Sequence, residues 1–143
     1  MGTCSKEAGR LNRFVRLCTK PLFQAAGLGS LDEFAILAQV DYLGECTKKT
    51  AIEENLIDLT TGIDAVRRLV KKKLLKEKVN KNDRRERLIP LTPQGKKIIG
   101  QVYQCFAGIQ DVLADLSEEE CSQLVGLQKS LDGFHSRNLQ GGA

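Results

Sequence analysis

The residues best placed to do chemistry in this chain lie on one arc of a predicted helix over residues 60–74. Their spacing is i, i+4, i+7 and i+11, which brings them to the same side of an α-helix. They are Thr61, Ala65, Arg68 and Lys72. The opposite arc is apolar and is expected to be buried against other helices; it holds Ile63, Val66, Val70 and Leu74. A face that is small at its start and cationic further on suits a helix inserted into the major groove of duplex DNA.

Two further residues near the start of this helix bear on the same surface. Gly62 is expected to leave the backbone close to whatever lies outside the helix. Asp64 could accept a hydrogen bond from a cytosine amino group or cap the helix. Thr60 or Thr61 is expected to cap the first turn. All of these residues except Thr60 are therefore candidates for contact with DNA.

Two short strands are predicted after the helix, over residues 75–79 and 87–91. The seven polar and charged residues that join them include asparagine and aspartate, which favour a tight turn. Pro90 cannot donate to a strand ladder, so its strand is expected at an edge. Thr92 followed by Pro93 predicts the capped start of another helix.

Helix, charged hairpin and helix in this order form a winged helix-turn-helix, and the hairpin resembles that of the MarR family of bacterial transcription regulators. The tip Asp83-Arg84-Arg85 is similar to the family's Asp-x-Arg wing tip. Residues 91–95, Leu-Thr-Pro-Gln-Gly, are similar to the Leu-Thr-x-x-Gly start of its long dimer helix. The resemblance extends over roughly the whole chain and is most specific in the wing. It implies a homodimer that binds duplex DNA at a pseudo-palindromic operator, most often as a repressor, with an aromatic or phenolic effector in the crevice between the dimer and DNA-binding regions.

The resemblance also assigns roles to the residues of the wing tip. It implies that Arg85 enters the minor groove, that Asp83 orients this arginine, and that Arg84 contacts a phosphate. Narrow, A·T-rich minor grooves attract arginine because their negative potential is deeper. Two positions depart from the family pattern: Leu74 stands where a glycine often ends the recognition helix, and Gly62 replaces a commonly larger polar residue. The operator sequence that is read therefore stays open.

Charge is concentrated in the same part of the chain. The protein has 143 residues and a net charge of +4, yet residues 67–97 contain thirteen basic and three acidic residues, a local net charge of +10. A solvated charged surface would explain lysines alone. Arginines at a hairpin tip beside a basic helix instead indicate a polyanionic partner.

Enzymatic chemistry has little support in the sequence. His135 is the only histidine, and the five cysteines are scattered without a C-x-x-C motif. Neither a P-loop nor a G-x-G-x-x-G motif occurs. We therefore expect no catalytic site, cofactor or metal. The absence of a signal peptide or a membrane-spanning apolar run, together with the unpaired cysteine pattern, predicts a cytoplasmic protein.

The cysteines leave one regulatory alternative open, a thiol-based redox sensor. Some MarR-family members sense peroxides through an N-terminal thiol, and Cys4 and Cys18 lie near the corresponding helix. Neither fits the sensing position cleanly, and Cys18 falls on the apolar face, where a cysteine usually serves packing. A further alternative is a winged-helix module that binds protein rather than DNA.

Five more helices complete the predicted fold, which is mainly α with a small β wing. Four of them cover residues 7–26, 31–43, 48–56 and 93–116, and the last follows a capping box at Ser117. Residues 1–6 are expected to be frayed, Ser30 and Thr47 are expected to cap the helices that follow them, and a very short strand is expected near Cys46. The apolar residues expected inward from the second of these helices are Phe34, Leu37, Ala38 and Val40, and those of the helix over 93–116 include Ile109, Val112 and Leu113. Residues 57–59 are expected to form the turn between the helix-turn-helix pair. We predict one domain over residues 1–143, with a DNA-binding part at about 31–95, dimerisation helices at about 7–26 and 93–137, and a disordered tail over 138–143. The terminal helices carry more apolar surface than one small reading head could bury, which favours a homodimer.

Overall fold

The computed structural model describes residues 2–106 and 114–141. The chain divides into two compact units, Met1–Ile109 and Gln110–Ala143. The expected single domain over residues 1–143 stays a prediction. The described part of the first unit contains α1 (Thr3–Ala25), α2 (Leu31–Leu43), α3 (Lys48–Glu53), α4 (Leu59–Lys71), β1 (Lys78–Val79), β2 (Arg87–Leu88) and α5 (Pro93–Phe106). The second unit contains α6 (Glu118–Gly141).

The first helix is longer than its apolar pattern indicated. It begins at Thr3 rather than near residue 7, so the expected frayed start at residues 1–6 is wrong for its described part. Pro21 lies inside the helix without ending it. The following helix α2 has the predicted bounds, because Ser30 Oγ accepts a hydrogen bond from the Glu33 N–H at 3.2 Å and Gly44 ends the helix with φ 83°.

The hydrophobic core of this unit surrounds α2. Of the side chains expected to point inward from α2, Leu37 and Val40 are fully buried, while Phe34 and Ala38 are partly buried and pack against the core. Ile36 is fully buried as well. Helices α1, α3, α4 and α5 all pack on α2. An aromatic cluster lies where α1, α2 and α5 meet; it consists of Phe23, Phe34, Tyr103 and Phe106.

The helix-turn-helix pair is α3 and α4. Thr47 caps α3 as predicted, with its Oγ1 accepting from the Thr50 N–H at 3.1 Å. The helix ends at Glu53, so the prediction that it extends to Leu56 is wrong. Leu56 has φ 54° and a side chain that is 71% exposed, and it belongs to the turn. A left-handed residue reverses the chain here, which ends the helix early.

Both ends of α4 differ in detail from expectation. Asp58 caps the first turn through a hydrogen bond from the Thr61 N–H to Oδ2 at 3.2 Å, so the predicted threonine cap is wrong and Leu59 belongs to the helix rather than the turn. At the other end, Lys73 has φ 61°. The left-handed position that commonly takes glycine is therefore Lys73 and not Leu74, and the corner keeps this backbone conformation without glycine.

The wing is an antiparallel hairpin, as predicted, but β1 and β2 have two residues each and are shorter than the expected strands over 75–79 and 87–91. Lys78 pairs with Leu88 and Val79 with Arg87, and an isolated bridge joins Leu75 to Leu91 at the base. The expected short strand near Cys46 is a bridge between Thr47 and Leu88, with the Ile89 N–H donating to the Cys46 carbonyl at 2.9 Å. This third segment ties the wing to the start of α3.

Helix α5 begins where the threonine–proline pair predicted. Thr92 Oγ1 accepts from the Gly95 N–H at 2.9 Å and donates to the Lys73 carbonyl at 2.6 Å. A Cβ at Gly95 would lie 2.1 Å from the Leu74 carbonyl oxygen, so only glycine allows the helix to pack this closely on the corner after α4. This contact gives a physical reason for the glycine of the Leu-Thr-x-x-Gly pattern.

The predicted continuation of this helix to residue 116 is only partly testable. Its expected apolar residues Ile109, Val112 and Leu113 lie outside the described residues. Residues 114–116 form a turn and a bend, so the helix does not reach Leu116.

Helix α6 starts at the predicted capping box. The Glu120 N–H donates to Ser117 Oγ at 3.2 Å, and Glu120 Oε1 accepts from the Ser117 N–H at 3.2 Å. The helix continues to Gly141, so the expected disorder from residue 138 is wrong for residues 138–141. Among the described residues, no helix combines the length and the apolar character that crossing a membrane requires.

Candidate nucleic-acid interface

The exposed face of α4 is rotated from the predicted one by about one residue. The buried residues of α4 are Gly62, Ala65, Val66 and Leu69. The face opposite to them is exposed and consists of Thr60, Asp64, Arg67 and Lys71, with Leu59 and Ile63 along the edge toward the wing. Ala65 has no exposed surface, so its predicted contact with DNA is wrong. Ile63 is 37% exposed, so its assignment to the buried arc is wrong as well.

Close packing of α4 on α3 explains the rotation. A Cβ at Gly62 would lie 2.5 Å from Ile52 Cγ2, so the glycine backbone contacts α3 and not an outside partner. The predicted exposure of Gly62 to DNA is therefore wrong. Glycine and alanine were assigned to the outside because small residues suit a groove, yet here they suit a helix–helix contact.

A buried carboxylate, that of Glu33, binds two cations on the side of α4 that faces α2. Glu33 has no exposed side-chain surface, and its Oε1 accepts from Arg68 Nε at 2.8 Å. Its Oε2 accepts from Lys72 Nζ and from the Gly29 N–H, each at 2.8 Å. Burial raises the pKa of Glu33, but the hydrogen bonds from Lys72, Gly29 and Arg68 outweigh that effect and hold the pKa below its ordinary value. Glu33 is therefore a buried anion that joins α2, the loop before it and α4.

The Glu33 cluster (Glu33, Arg68, Lys72 and Gly29) includes two of the predicted DNA contacts. Arg68 and Lys72 are therefore also partners of a buried carboxylate. Arg68 is 49% exposed and Lys72 is 35% exposed, so each keeps N–H groups in solvent while one side is fixed by the carboxylate. Sequence reasoning missed Glu33 because its partners lie 35 and 39 residues away. The only local signal was its position three residues after Ser30, where a capping-box acid stands.

The first turns of α4 hold two of the remaining candidates. Asp64 Oδ1 accepts from Arg67 Nη1 at 3.0 Å on the exposed face. Thr61 is exposed beside the capping residue Asp58. The carboxylate of Asp64 thus fixes an arginine that the predicted reading face did not include.

The wing tip is organised through its backbone. Asp83 Oδ1 accepts from the Arg85 N–H at 3.0 Å, and Asn80 Oδ1 accepts from the Asn82 N–H at 3.0 Å. Such Asx turns fix the loop conformation. Arg84 and Arg85 are both exposed. Asp83 therefore positions Arg85 through the main chain.

A cleft of about 340 Å³ lies between the recognition helix and the wing. Leu59 and Ile63 of α4 line it together with Ile52 of α3, and Arg85 and Arg87 line it from the wing. Lys48 and Lys49 lie at the start of α3 on the same cleft. The structure therefore brings the helix and the wing tip to one surface, as a winged-helix reading head requires.

Several cations of the basic stretch have no acidic partner within 4.0 Å among the described residues. Within residues 2–106 and 114–141, ion pairs within 4.0 Å engage Arg67, Arg68, Lys72 and Lys78 of the basic stretch. The others make no such pair in the described part; they are Lys71, Lys73, Lys76, Lys81, Arg84, Arg85, Arg87, Lys96 and Lys97. These nine cations lie within one stretch of 27 residues, which concentrates positive charge in this part of the chain.

A smaller cavity of about 160 Å³ lies on the other side of the Glu33 cluster, between α1 and the loop before α2. Arg16, Thr19 and Lys20 give it a polar, cationic wall, and Phe23 and Leu31 give it an apolar one. Gly29 also lines it, and the Gly29 N–H is bound to Glu33.

The cysteines differ in environment. Cys46 is buried, and burial raises the pKa of its thiol, which disfavours the reactive thiolate. Cys4, Cys18 and Cys105 are exposed. The expectation that Cys18 serves packing is therefore wrong within a single copy of the chain. Among the described residues, no group of three or more potential ligands is arranged to hold a metal ion.

Comparison with known proteins gives a fold and no sequence-level match. No family model matches the chain, and no curated protein matches it either. The solved transcriptional regulator SlyA superposes with a TM-score of 0.84 at 20% identity, covering 96% of each chain. An E. coli MarR mutant complexed with operator DNA gives 0.80 at 21% identity, covering 89% of this chain and 91% of that one. The PcaV regulator from Streptomyces coelicolor, in complex with its natural ligand, gives 0.74 at 20% identity, covering 93% and 96%.

The chain therefore has the winged-helix fold of MarR-type regulators, mainly α with a small two-stranded wing. The predicted fold class is confirmed. At these identities the likeness defines the fold, and the residues of the interface have to be argued from their own geometry.

Proposed function

We propose that this protein is a MarR-family transcription regulator that binds duplex DNA as a homodimer. The observation that carries the proposal is the single surface formed by the exposed face of α4 and the wing tip. A helix of this diameter fits the major groove, and a hairpin tip beside it reaches the neighbouring minor groove. The unpaired cations around this surface would neutralise phosphates on both sides of the grooves.

The proposed contacts combine the predicted residues with those that the geometry adds. Thr61, Asp64 and Arg67 would face base edges from the first turns of α4. Arg68 and Lys72 would contact DNA through the N–H groups that Glu33 leaves in solvent. Arg85 would enter the minor groove, and Arg84 would contact a phosphate. Glu33 would act as a positioning residue, because it orients two cations without reaching the surface itself.

Exposed apolar side chains support the homodimer. In the first unit, Phe14 and Leu17 of α1 are 49% and 65% exposed. In the second unit, five large apolar side chains of α6 are exposed: Val125, Leu127, Leu131, Phe134 and Leu139. Helices of this kind bury their apolar faces against a second copy in many regulators. A dimer would also present two reading heads, which suits a pseudo-palindromic operator.

A small-molecule effector is the finer part of the proposal. The cavity beside Arg16 and Lys20 suits an anion with an aromatic body, because it joins cationic and apolar walls. Its lining residue Gly29 is bonded to Glu33, which holds Arg68 and Lys72 on α4. A ligand that displaces this loop would therefore shift the recognition helix. Repression and cytoplasmic location are proposed from the same resemblance.

Selection of bound duplexes from a random pool tests the main proposal. We expect enrichment of a pseudo-palindrome whose half-sites lie about one helical turn apart, since a two-fold dimer places its helices at that distance. The selection should be repeated with a variant in which Arg67, Arg68 and Arg85 are replaced by Ala. Enrichment of the same sites by this variant, or of no sequence by the wild type, would contradict the proposal and favour a protein-binding module.

A further inference from the structure

Two large apolar side chains are exposed on the helix that is otherwise polar toward solvent. Leu59 is 56% exposed and Ile63 is 37% exposed. They lie four residues apart and so share one edge of α4, one turn above the other. Exposed apolar residues need no explanation singly, but a pair on a basic surface is unusual.

These side chains border the cleft between α4 and the wing. Ile52 continues the apolar surface inward, and Lys48, Lys49, Arg85 and Arg87 line the cleft together with Glu53 and Glu86. Lys48 and Lys49 are paired with Glu77 and Glu53, whereas Arg85 and Arg87 make no ion pair within 4.0 Å among the described residues, so the unpaired positive charge of the cleft lies on its wing side. The partner that such a surface fits is therefore a polyanion that also presents apolar groups. In the major groove of DNA the C5-methyl group of thymine is the apolar feature that protein side chains contact.

We propose that Ile63, with Leu59 beside it, recognises thymine methyl groups in the major groove and thereby sets part of the sequence preference. The inference rests on the proposed DNA-binding function and adds to it a specificity determinant on the apolar edge of α4. The sequence predicts Ile63 in the core, and its exposure in the structure makes this role available.

The neighbouring arginines of α4 both pair with a carboxylate of the same chain. Arg68 is fixed on one side by Glu33, and Arg67 is paired with Asp64. The side chain of Ile63 is β-branched and so stiff at χ1, which gives its methyl groups a defined position with little entropy lost on binding. Ile63 is thus preorganised for a contact that depends on shape rather than on charge.

A methyl-deletion cycle on the full-length protein tests the inference. Each thymine of the duplex selected above is replaced in turn by deoxyuridine, which removes only the C5-methyl group. We expect the wild type to lose about threefold to tenfold in affinity at one or two positions of each half-site, as burial of a single methyl group predicts. For Ile63→Ala the same replacement should change affinity by less than about twofold, because the partner of the methyl group is gone.

Two matched variants keep the test specific. Val79→Ala removes an exposed β-branched side chain from β1 that does not line the cleft, and it should keep the full sensitivity to deoxyuridine. Ile63→Val keeps the branch at Cβ and should keep most of the sensitivity to deoxyuridine. Thermal unfolding of each variant shows whether the fold is intact.

Three outcomes overturn the inference while leaving the proposed function in place. The first is equal loss on deoxyuridine in the wild type and in Ile63→Ala. The second is no sensitive thymine at any position, and the third is equal loss of sensitivity in Val79→Ala. Failure of the wild type to bind any selected duplex would instead contradict the proposed function.

Discussion

Two cationic regions of the winged-helix part differ in how their charged side chains are fixed. On the α2 side of α4, Arg68 and Lys72 are hydrogen-bonded to the buried carboxylate of Glu33. At the wing tip, Arg84 and Arg85 are exposed and only the backbone of Arg85 is fixed, by Asp83. In the proposed complex with DNA, the first region would need little further ordering, whereas the second would lose side-chain freedom on binding. Ordering a long side chain costs about 0.5–1.5 kcal/mol, so equal charge does not mean equal contribution to affinity.

The two regions should also contribute differently to the free energy of unfolding and to DNA affinity. A buried ion network contributes to folding only while every member is present, because a lone buried charge is poorly solvated. Substitutions in the Glu33 cluster should therefore alter both the free energy of unfolding and DNA affinity. Substitutions at the wing tip should alter DNA affinity alone.

The largest expected effect follows from Glu33→Gln. The amide cannot accept two charge-assisted hydrogen bonds as the carboxylate does, and it places an NH₂ group against a cation or an N–H donor. We expect a loss of about 2–3 kcal/mol in the free energy of unfolding, measured by urea denaturation. The estimate stays below the cost of an isolated buried charge because Arg68 and Lys72 are partly exposed and can regain water.

The matched control for this variant is Glu45→Gln. Glu45 makes an ion pair with Lys78 at 2.8 Å, but both side chains are exposed, so the change should cost less than about 1 kcal/mol. Equal losses in the two variants would mean that the Glu33 cluster contributes no more than a surface ion pair.

The second expected effect is the pH dependence of the same cluster. The pKa of Glu33 is lower in the folded protein than in the unfolded chain, so its contribution to stability is complete above the unfolded value of about 4.3. That contribution is lost as the pH falls from there through the folded pKa. The wild type and Glu33→Gln should therefore differ most in unfolding free energy near neutral pH and converge in acid. A difference that stays constant from pH 7 to pH 3 would contradict an ionised Glu33.

A smaller effect, confined to DNA affinity, is expected from Arg85→Ala. Its guanidinium should lose a contact worth about 1–2 kcal/mol on operators with A·T-rich flanks and much less on G·C-rich flanks, since narrow minor grooves attract arginine. Arg85→Lys should rescue only part of the loss, because lysine is more strongly hydrated. Asp83→Ala should give a smaller loss of the same kind. Titrations at one salt concentration against duplexes that differ only in their flanks measure these terms, and an equal loss on every flank would make the wing a non-specific clamp.

The smallest effect lies at the corner that joins the two regions. Lys73 has φ 61°, a conformation that costs a non-glycine residue roughly 1 kcal/mol. Lys73→Gly should therefore raise the free energy of unfolding by up to about 1 kcal/mol. Lys71→Gly, two residues earlier at the last residue of α4, should instead lower it by up to about 1 kcal/mol. A loss of stability in Lys73→Gly would show that its side chain contributes more than the strained backbone costs.

The sequence predicted the elements of this fold better than the orientation of their faces. Caps and turn residues are local, so Ser30, Thr47, Thr92 and Ser117 identified helix starts correctly. The face of α4 was wrong because size alone does not decide whether a small residue faces a groove or a neighbouring helix. For Gly62 that depends on Ile52, ten positions earlier.

The candidate site shows the same limit. Its wing tip could be predicted because the Asp83 turn is formed by adjacent residues. The Glu33 cluster could not, because it forms only when α2 and α4 pack and bring an acid in the first turn of α2 to Arg68 in the second half of α4 and to Lys72 at its C-cap. Local periodicity contains no information about such a pairing.

The salt dependence of binding tests most directly whether the cationic surface is a DNA interface. The affinity of the wild type for a selected duplex should be titrated between about 50 and 200 mM salt. A homodimer that contacts three or more phosphates with each protomer should lose affinity with a slope of about −5 or steeper in log affinity against log salt concentration. A slope close to zero, or no binding at 50 mM, would contradict the account.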